Sequence, residues 1–447
     1  MKPEIKERIE MINRGEVPEG YKKTKVGIIP ENWEIRRLGS LGKSIIGLTY
    51  SPSDICNDNT GTLVLRSSNI EGNRLVYNDN VYVKKNIPNK LLVEIGDILV
   101  CVRNGSRALI GKNAYISEQH LGHSFGAFMS VYRSKNSRFI FQLLQTYHFK
   151  KQIFANLGAT INQITTKDLS AFIFAMPPLA EQQKIASILS TWDKAIELKE
   201  RLIEQKKEQK KGLMQNLLFG KILWNDNVSR DRKKIQTRIK IIKNGEVPVG
   251  YKKTKAGIIP MHWNSLKAED LFKNHTNKKH DGNLEVLSAT QDRGIIPRSE
   301  LDIDIKYDKE SLGTYKKVES GNFVISLRSF QGGIEYSEYE GLVSPAYTVI
   351  KNKIDMDKGY YKYYLKTENF IRRLNSVIYG IRDGKQIGFS DFSQLYLVYP
   401  PVTEQKNIAG IINYSNTEIN LLEQELDLLR QQKKGLMQLL LTGKVRV

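Results

Sequence analysis

Two stretches of the chain carry a long, regular alternation of apolar and polar positions. In Pro177–Leu223 the residues Ile185, Leu189, Trp192, Ile196, Lys199, Ile203, Lys206, Lys210, Leu213 and Leu217 recur at alternating steps of four and three. In Pro400–Val447 the equivalent positions are Ile408, Ile412, Ser415, Ile419, Leu422, Leu426, Leu429, Lys433, Leu436 and Leu440. Such spacing puts each set on one seam, so each stretch is expected to form one long coiled-coil helix. The pairs Pro177–Pro178 and Pro400–Pro401 lie just upstream, where a fixed φ does no harm, and Glu181 and Glu404 suit the positive end of a helix. Lys199 and Lys206 on the first seam answer Leu422 and Leu429 on the second, so pairing the two helices would bury leucines against lysine stems. An antiparallel pair related by a pseudo-twofold is the expected arrangement, each helix about 58 Å long at ~1.5 Å per residue. A parallel or intermolecular pairing satisfies the same pattern.

Outside these stretches the pattern shortens. LVLRSSNI, RLVYNDNVYV and DILVCV are β-branched runs separated by Gly, Asn and Asp, the signature of short strands and turns. FIFQLLQTYHFKKQIFANL and GYYKYYLKTENFIRRLNSVI each space aromatic and aliphatic residues three and four apart, predicting one amphipathic helix in each. Strands followed by a helix imply an α+β body.

The chain is also internally repeated. Gly15–Trp33 (GEVPEGYKKTKVGIIPENW) and Gly245–Trp263 (GEVPVGYKKTKAGIIPMHW) agree at 15 of 19 positions, which marks a tandem duplication. Similarity returns at Asn162–Pro178 and Lys385–Pro401, and both long stretches contain Lys-Lys-Gly-Leu-Met-Gln (Lys210–Gln215, Lys433–Gln438). Between these ends, Thr60–Ser130 and Glu285–Ile350 share little beyond GDILVCV against GNFVISL. A duplicated frame thus holds two unlike inserts. The expected organisation is a first body over residues 1–176 and a central helix over 177–224. A second body with a basic lead-in (225–246) follows over 225–399, and a closing helix over 400–447.

The 69 Lys and Arg against 48 Asp and Glu leave a formal charge of +21. An excess of that size favours a polyanionic partner, nucleic acid ahead of a membrane surface. The basic run Asn225–Lys243 is read equally as a solvated surface helix or as a phosphate contact. Cys56 and Cys101 lie far apart with no Cys-x-x-Cys spacing, so neither a disulfide framework nor a thiolate zinc site is indicated. With neither a signal peptide nor an 18-residue apolar run, a cytoplasmic protein without a membrane association is expected.

Catalytic signatures fail on their spacing. Gly39–Ser44 (GSLGKS) lacks two residues of a phosphate loop, and Gly105–Asn113 (GSRALIGKN) puts Asn where a hydroxyl must meet magnesium. His120 and His123 have no third ligand nearby. Neither Pro-Pro pair carries the polar residue and aromatic of an adenine methyltransferase loop, and no compact Asp…Glu-x-Lys nuclease cluster occurs. What remains is equipment for reading bases, since Arg, Asn, Gln and Lys bridge purine edges while Ser and Thr hold phosphates. The candidates in the first body are Arg66, Ser67, Asn69, Arg103, Asn104, Ser106, Arg107, Lys112, Asn162 and Gln163. In the second they are Gln291, Arg293, Arg328, Ser329, Gln331, Arg382, Lys385 and Gln386.

The paired Pro-Pro-x-x-Glu-Gln helix starts, the two Lys-Lys-Gly-Leu-Met-Gln tails and the Pro-x-x-Trp motifs at Pro30–Trp33 and Pro260–Trp263 together resemble the specificity subunit of type I restriction–modification enzymes. Gly96–Lys112, Ser124–Arg133 and Leu287–Arg298 resemble its variable target-recognition domains. The resemblance covers nearly the whole chain; its motifs are soft singly and specific in their order and duplication. It implies a non-catalytic subunit with two target-recognition domains, each reading half of an asymmetric bipartite site in double-stranded DNA. The antiparallel helices would set the spacing and dock two methyltransferase subunits, and ATP-dependent restriction subunits would join that core. S-adenosylmethionine, ATP and magnesium would reside on those partners and none on this chain. The lysine-rich middle of the first seam departs from an ideal pairing and leaves its register open. Two other readings are an enzyme in its own right, methyltransferase or nuclease, and a coiled-coil scaffold linking two protein-binding domains.

Overall fold

The computed structural model describes residues 2–56, 60–158, 162–226, 231–301, 309–377 and 387–447. The chain divides into two compact units, one formed by Met1–Glu200 with Gln424–Val447 and the other by Arg201–Glu423. Each unit therefore contains a piece of both long helices, the central one spanning Leu179–Leu217 and the closing one Val402–Leu440.

In the first unit a lead-in helix, Pro3–Arg14, ends at Gly15 in the left-handed region. An antiparallel hairpin pairs Tyr21–Thr24 with Gly27–Pro30. Glu34–Arg37 then pairs antiparallel with Ile173–Met176, tying the start of the body to its end just before the prolines. The insert holds an antiparallel sheet in the order Asn113–Tyr115, Ile98–Cys101, Met129–Arg133, Lys43–Ile46. A second sheet runs Ser124–Phe125, Thr62–Leu65, Tyr82–Val83, Ile55–Cys56. The core gathers Trp33, Leu99, Val131 and Phe149 with Ile185 and Leu189 of the central helix and Leu440 of the closing helix.

The second unit repeats the frame. Its lead-in helix is Arg232–Lys243, its hairpin joins Tyr251–Thr254 to Gly257–Pro260 in the same register, and Asn264–Lys267 pairs with Tyr396–Tyr399. The insert sheet runs Phe272–Asn274, Thr348–Asn352, Phe323–Ile325, Glu335–Tyr336, with a separate hairpin Leu287–Thr290/Gly294–Pro297. Here the core joins Trp263, Phe272, Tyr360 and Tyr361 to Leu217 and Leu218 at the end of the central helix and to Ile408 and Ile412.

The unbroken amphipathic helix expected in each body is two helices. The first body has Ser137–Leu143 and Tyr147–Asn156, the second Lys358–Tyr364 and Glu368–Ser376. The break is a capping event: the Thr146 hydroxyl accepts from the Phe149 amide and the Thr367 hydroxyl from the Phe370 amide, each at 3.3 Å. A threonine in the N-cap position satisfies an amide that a continuous helix would have bonded to its own backbone.

Within each unit the long helices run antiparallel. In the first, Lys199 reaches Glu425 at 2.7 Å while Asp193 reaches Lys433 at 2.6 Å, so numbers rise on one helix as they fall on the other. In the second, Lys206 meets Glu418 at 2.5 Å and Lys210 donates to Asn416 at 2.6 Å. The seam residues Ile185, Leu189, Ile196, Ile203, Leu217, Ile408, Ile412, Ile419, Leu426 and Leu440 are buried. Trp192, Leu213, Leu422, Leu429 and Leu436 are half-buried. Lys199 and Lys206 keep half-buried stems and place their heads on Glu425 and Glu418 of the opposing helix, the arrangement of an amphipathic side chain at a coiled-coil edge.

Each helix tail docks on the lead-in of its own unit. The Tyr21 hydroxyl donates to Gly443 O at 2.8 Å and the Tyr251 hydroxyl to Gly220 O at 2.7 Å. Arg8 and Arg238, equivalent in the two lead-in helices, donate to Lys444 O and Lys221 O. Within the basic run the helix Arg232–Lys243 is thus docked on its own unit, with Arg238 turned inward onto Asp226. At the helix starts the buried Trp33 donates from Nε1 to Glu181 at 3.0 Å, and Trp263 to Glu404 at 3.0 Å. Glu181 also receives Arg446 through Nε and Nη2 at 2.7 and 2.8 Å, whereas Glu404 faces His262 at 2.8 Å.

Candidate nucleic-acid interface

In the first unit the polar candidates converge. The strand Ile98–Cys101 leads through Val102 to Arg103, whose backbone bridges to Gln163. Asn104 donates its amide nitrogen to Ser67 Oγ at 2.9 Å and its backbone N–H to Asn162 O at 3.2 Å, while Asn162 donates to Gly105 O at 2.9 Å. Lys112 Nζ donates to Ser67 O at 3.4 Å. Three loops, 66–69, 103–107 and 162–163, therefore form one surface. Arg103, Ser106 and Arg107 are exposed on it. The Arg103 guanidinium lies over the Phe128 ring at 4.9 Å and that of Arg107 over Phe154 at 5.9 Å. An aromatic face holds the plane of a guanidinium while leaving its outer edge able to donate, which suits a guanine or a phosphate.

Two candidates are corrected. Asn69 is fully buried; its Oδ1 accepts from the Arg66 amide and its Nδ2 donates to Val76 O, Asp79 O and Asn80 Oδ1. It holds a loop together and cannot present an edge to a base. Ser329 is 1% exposed, its Oγ accepting from the Ser326 amide at 2.9 Å, so it closes a turn from inside. Arg66 is half-buried and held by Asp79 at 2.8 Å, so it meets DNA only by exchanging that carboxylate.

In the second unit Gln291 and Arg293 occupy the turn of the hairpin at Leu287–Pro297, tightened by the Thr290 hydroxyl, which donates to Gly294 O at 2.9 Å and accepts from the Arg293 amide at 3.1 Å. Gly332 lies against Gln291, where an added Cβ would come within 2.8 Å of the Gln291 Cγ, so this turn and the 328–332 turn are neighbours. Arg328 and Gln331 are exposed beside them. Arg382, Lys385 and Gln386 lie outside the described residues. Arg328 follows Phe323–Ile325 as Arg103 follows Ile98–Cys101. The duplicated frame thus presents an exposed arginine from the same strand end in both units.

Sequence reasoning missed Phe128. It is 54% exposed, and its position directly before the strand Met129–Arg133 reads as core by periodicity. Its signal was the small-residue turn Gly126–Ala127 in front of it, which leaves an aromatic at a loop edge. Burial pushes the Cys101 thiol up to about 11, keeping it protonated and inert. Burial lowers the pKa of both His120 and His123, and the His120 ring accepts from the Ser117 amide at 2.9 Å. Among the described residues no cluster of three metal-ligating side chains occurs, and no helix is long and apolar enough to cross a membrane.

Comparison with known proteins agrees with this geometry. Residues 30–207 match the family model described as the type I restriction modification DNA specificity domain. The putative type I restriction enzyme MjaX specificity subunit of Methanocaldococcus jannaschii is 28% identical, over 96% of this chain and 97% of its own. The type I restriction enzyme EcoKI specificity subunit of Escherichia coli is 29% identical over 44% of each chain. In fold, a crystal structure of the type I restriction-modification system S subunit from M. genitalium superposes with a TM-score of 0.51 at 15% identity, covering 92% of this chain and 96% of that one. Along nearly its whole length the chain is thus similar to specificity subunits of type I restriction–modification enzymes.

Proposed function

We propose that this chain supplies DNA sequence specificity to a type I restriction–modification assembly, each unit reading one half of an asymmetric bipartite site. The observation that carries the reading is the duplicated frame with unlike inserts, presenting Arg103 and Arg328 from the same strand end in different loop settings. A shared scaffold with different loops is what two different half-sites require, because base identity is read by side-chain edges while phosphate contacts only position them. The paired helices set the number of unread base pairs between the halves, and their outer faces dock two methyltransferase subunits, with restriction subunits beyond. The chain itself is a recognition subunit without catalysis. S-adenosylmethionine, ATP and magnesium belong to the partners.

The test is single-molecule methylome sequencing of cells expressing this chain with its methyltransferase subunit. A bipartite, asymmetric methylated motif is expected. Its absence with the complex expressed, or modification of DNA by the purified chain alone, would contradict the reading.

A further inference from the structure

In the first unit the variable insert meets the helices through a polar joint. Lys433 of the closing helix, its side chain only 9% exposed, places its ammonium 2.6 Å from Asp193 of the central helix and 3.2 Å from Gln145 Oε1 of the insert. Gln142 of the insert donates to the other Asp193 oxygen at 2.9 Å. Two turns further along the central helix, Arg74 of the insert forms an ion pair with Glu200, which also receives Arg430 at 2.8 Å. Insert and both helices are therefore joined by charge-assisted hydrogen bonds at two successive steps.

The second unit uses the same positions with other chemistry. Lys210 and Asn416, equivalent to Lys433 and Asp193, are joined at 2.6 Å, and Asn416 donates to the Tyr363 hydroxyl at 2.8 Å, Tyr363 standing where the first insert has Gln142. The frame thus offers a carboxylate to a glutamine in one unit and an amide to a tyrosine in the other. Apolar contact is non-directional and tolerates sliding, whereas charge-assisted hydrogen bonds are directional, and polar pairs in a helix interface are best attested as devices that specify register.

We infer that the Arg74–Glu200 and Gln142–Asp193–Lys433 contacts are positioning residues that lock the first reading body to one step of the helix pair. They set the distance between half-sites and leave the bases read unchanged. The inference rests on the bipartite reading proposed above. The carboxylates belong to the frame and their amide and guanidinium partners to the insert, so the joint is also where an exchanged insert must match its helix.

The experiment uses the full chain assembled with its methyltransferase subunits and measures methyl transfer to duplexes. These carry the parental spacer, spacers one base pair longer or shorter, or single half-site mismatches. In the double variant Asp193→Asn, Glu200→Gln, discrimination against the altered spacers falls about tenfold, the scale of losing charge-assisted hydrogen bonds, while discrimination against half-site mismatches stays within about twofold. Val131→Ala, a core truncation in the sheet strand Met129–Arg133 of the same unit, leaves spacer discrimination at the parental value. Unchanged spacer discrimination in the double variant overturns the inference, and so does an equal change in Val131→Ala. A parental complex with no bipartite methylation instead removes the functional reading itself.

Discussion

Replacing Glu181 by alanine tests how each long helix is seated. Glu181 is nearly buried and has three hydrogen-bond donors aimed at it, the Trp33 indole and two from Arg446. Burial alone would raise its pKa, but Arg446 and the Trp33 N–H outweigh that and hold it below the ordinary carboxylate value. The alanine variant leaves the indole N–H of a fully buried tryptophan without an acceptor, a cost of about 1–3 kcal/mol. It also removes the partner of Arg446, whose side chain is 36% exposed and so recovers part of its hydration; that adds about 1 kcal/mol. The sum is about 3 kcal/mol for the first unit. Glu404→Ala costs less, because its second partner, His262, is half exposed and offers one ring nitrogen where Arg446 offers Glu181 two guanidinium donors. Urea unfolding followed by fluorescence, fitted with a separate transition for each unit, should show the first-unit midpoint falling more for Glu181→Ala than the second-unit midpoint for Glu404→Ala. Because the folded pKa of Glu181 is depressed, its contribution is fully present above the unfolded value near ~4.3 and disappears as pH falls through the folded value. A loss below about 0.5 kcal/mol, the scatter of ordinary surface substitutions, or one that persists undiminished at pH 2, would refute the reasoning.

Arg103→Ala and Arg328→Ala should each relax one half-site by about 1–3 kcal/mol of base discrimination and leave the other intact, measured by methyl transfer to a panel of mismatched duplexes. Asn69→Ala should instead cost stability, about 1–3 kcal/mol for the buried loop bonds it strips, without changing which bases are preferred when the folded fraction is held equal. Gly443→Ala should cost about 3 kcal/mol in the first unit. Its φ of +70° is strained for any side chain and the added methyl would sit 2.4 Å from Pro30 Cδ; thermal unfolding of the whole chain reads this.

The long helices were legible because a 3.5-residue repeat sustained over ten positions has no competing explanation, and the duplicated frame because the chain could be compared with itself. The breaks at Thr146 and Thr367 were not, since the apolar period continues across them while a single side-chain cap redirects the backbone. Nor was the burial of Asn69, which depends on residues 76–80 wrapping over it. Asp193 and Glu200 flank the seam and read as ordinary solvated charges; only the packing of the insert against the helices turns them inward. The candidate arginines were found by residue type, but the rings beneath Arg103 and Arg107 are distant in sequence, Phe128 at a loop edge and Phe154 on the helix Tyr147–Asn156.

Exchange of one insert puts the two-reader account to its most direct test. Residues Leu41–Ala175 are replaced by the corresponding segment of a type I specificity subunit similar to this chain, keeping the frame and both long helices, and the methylated motif is sequenced in cells carrying the methyltransferase subunit. The account predicts that one half of the motif changes to that of the donor while the other half and its asymmetry persist. A motif in which both halves change together would contradict it.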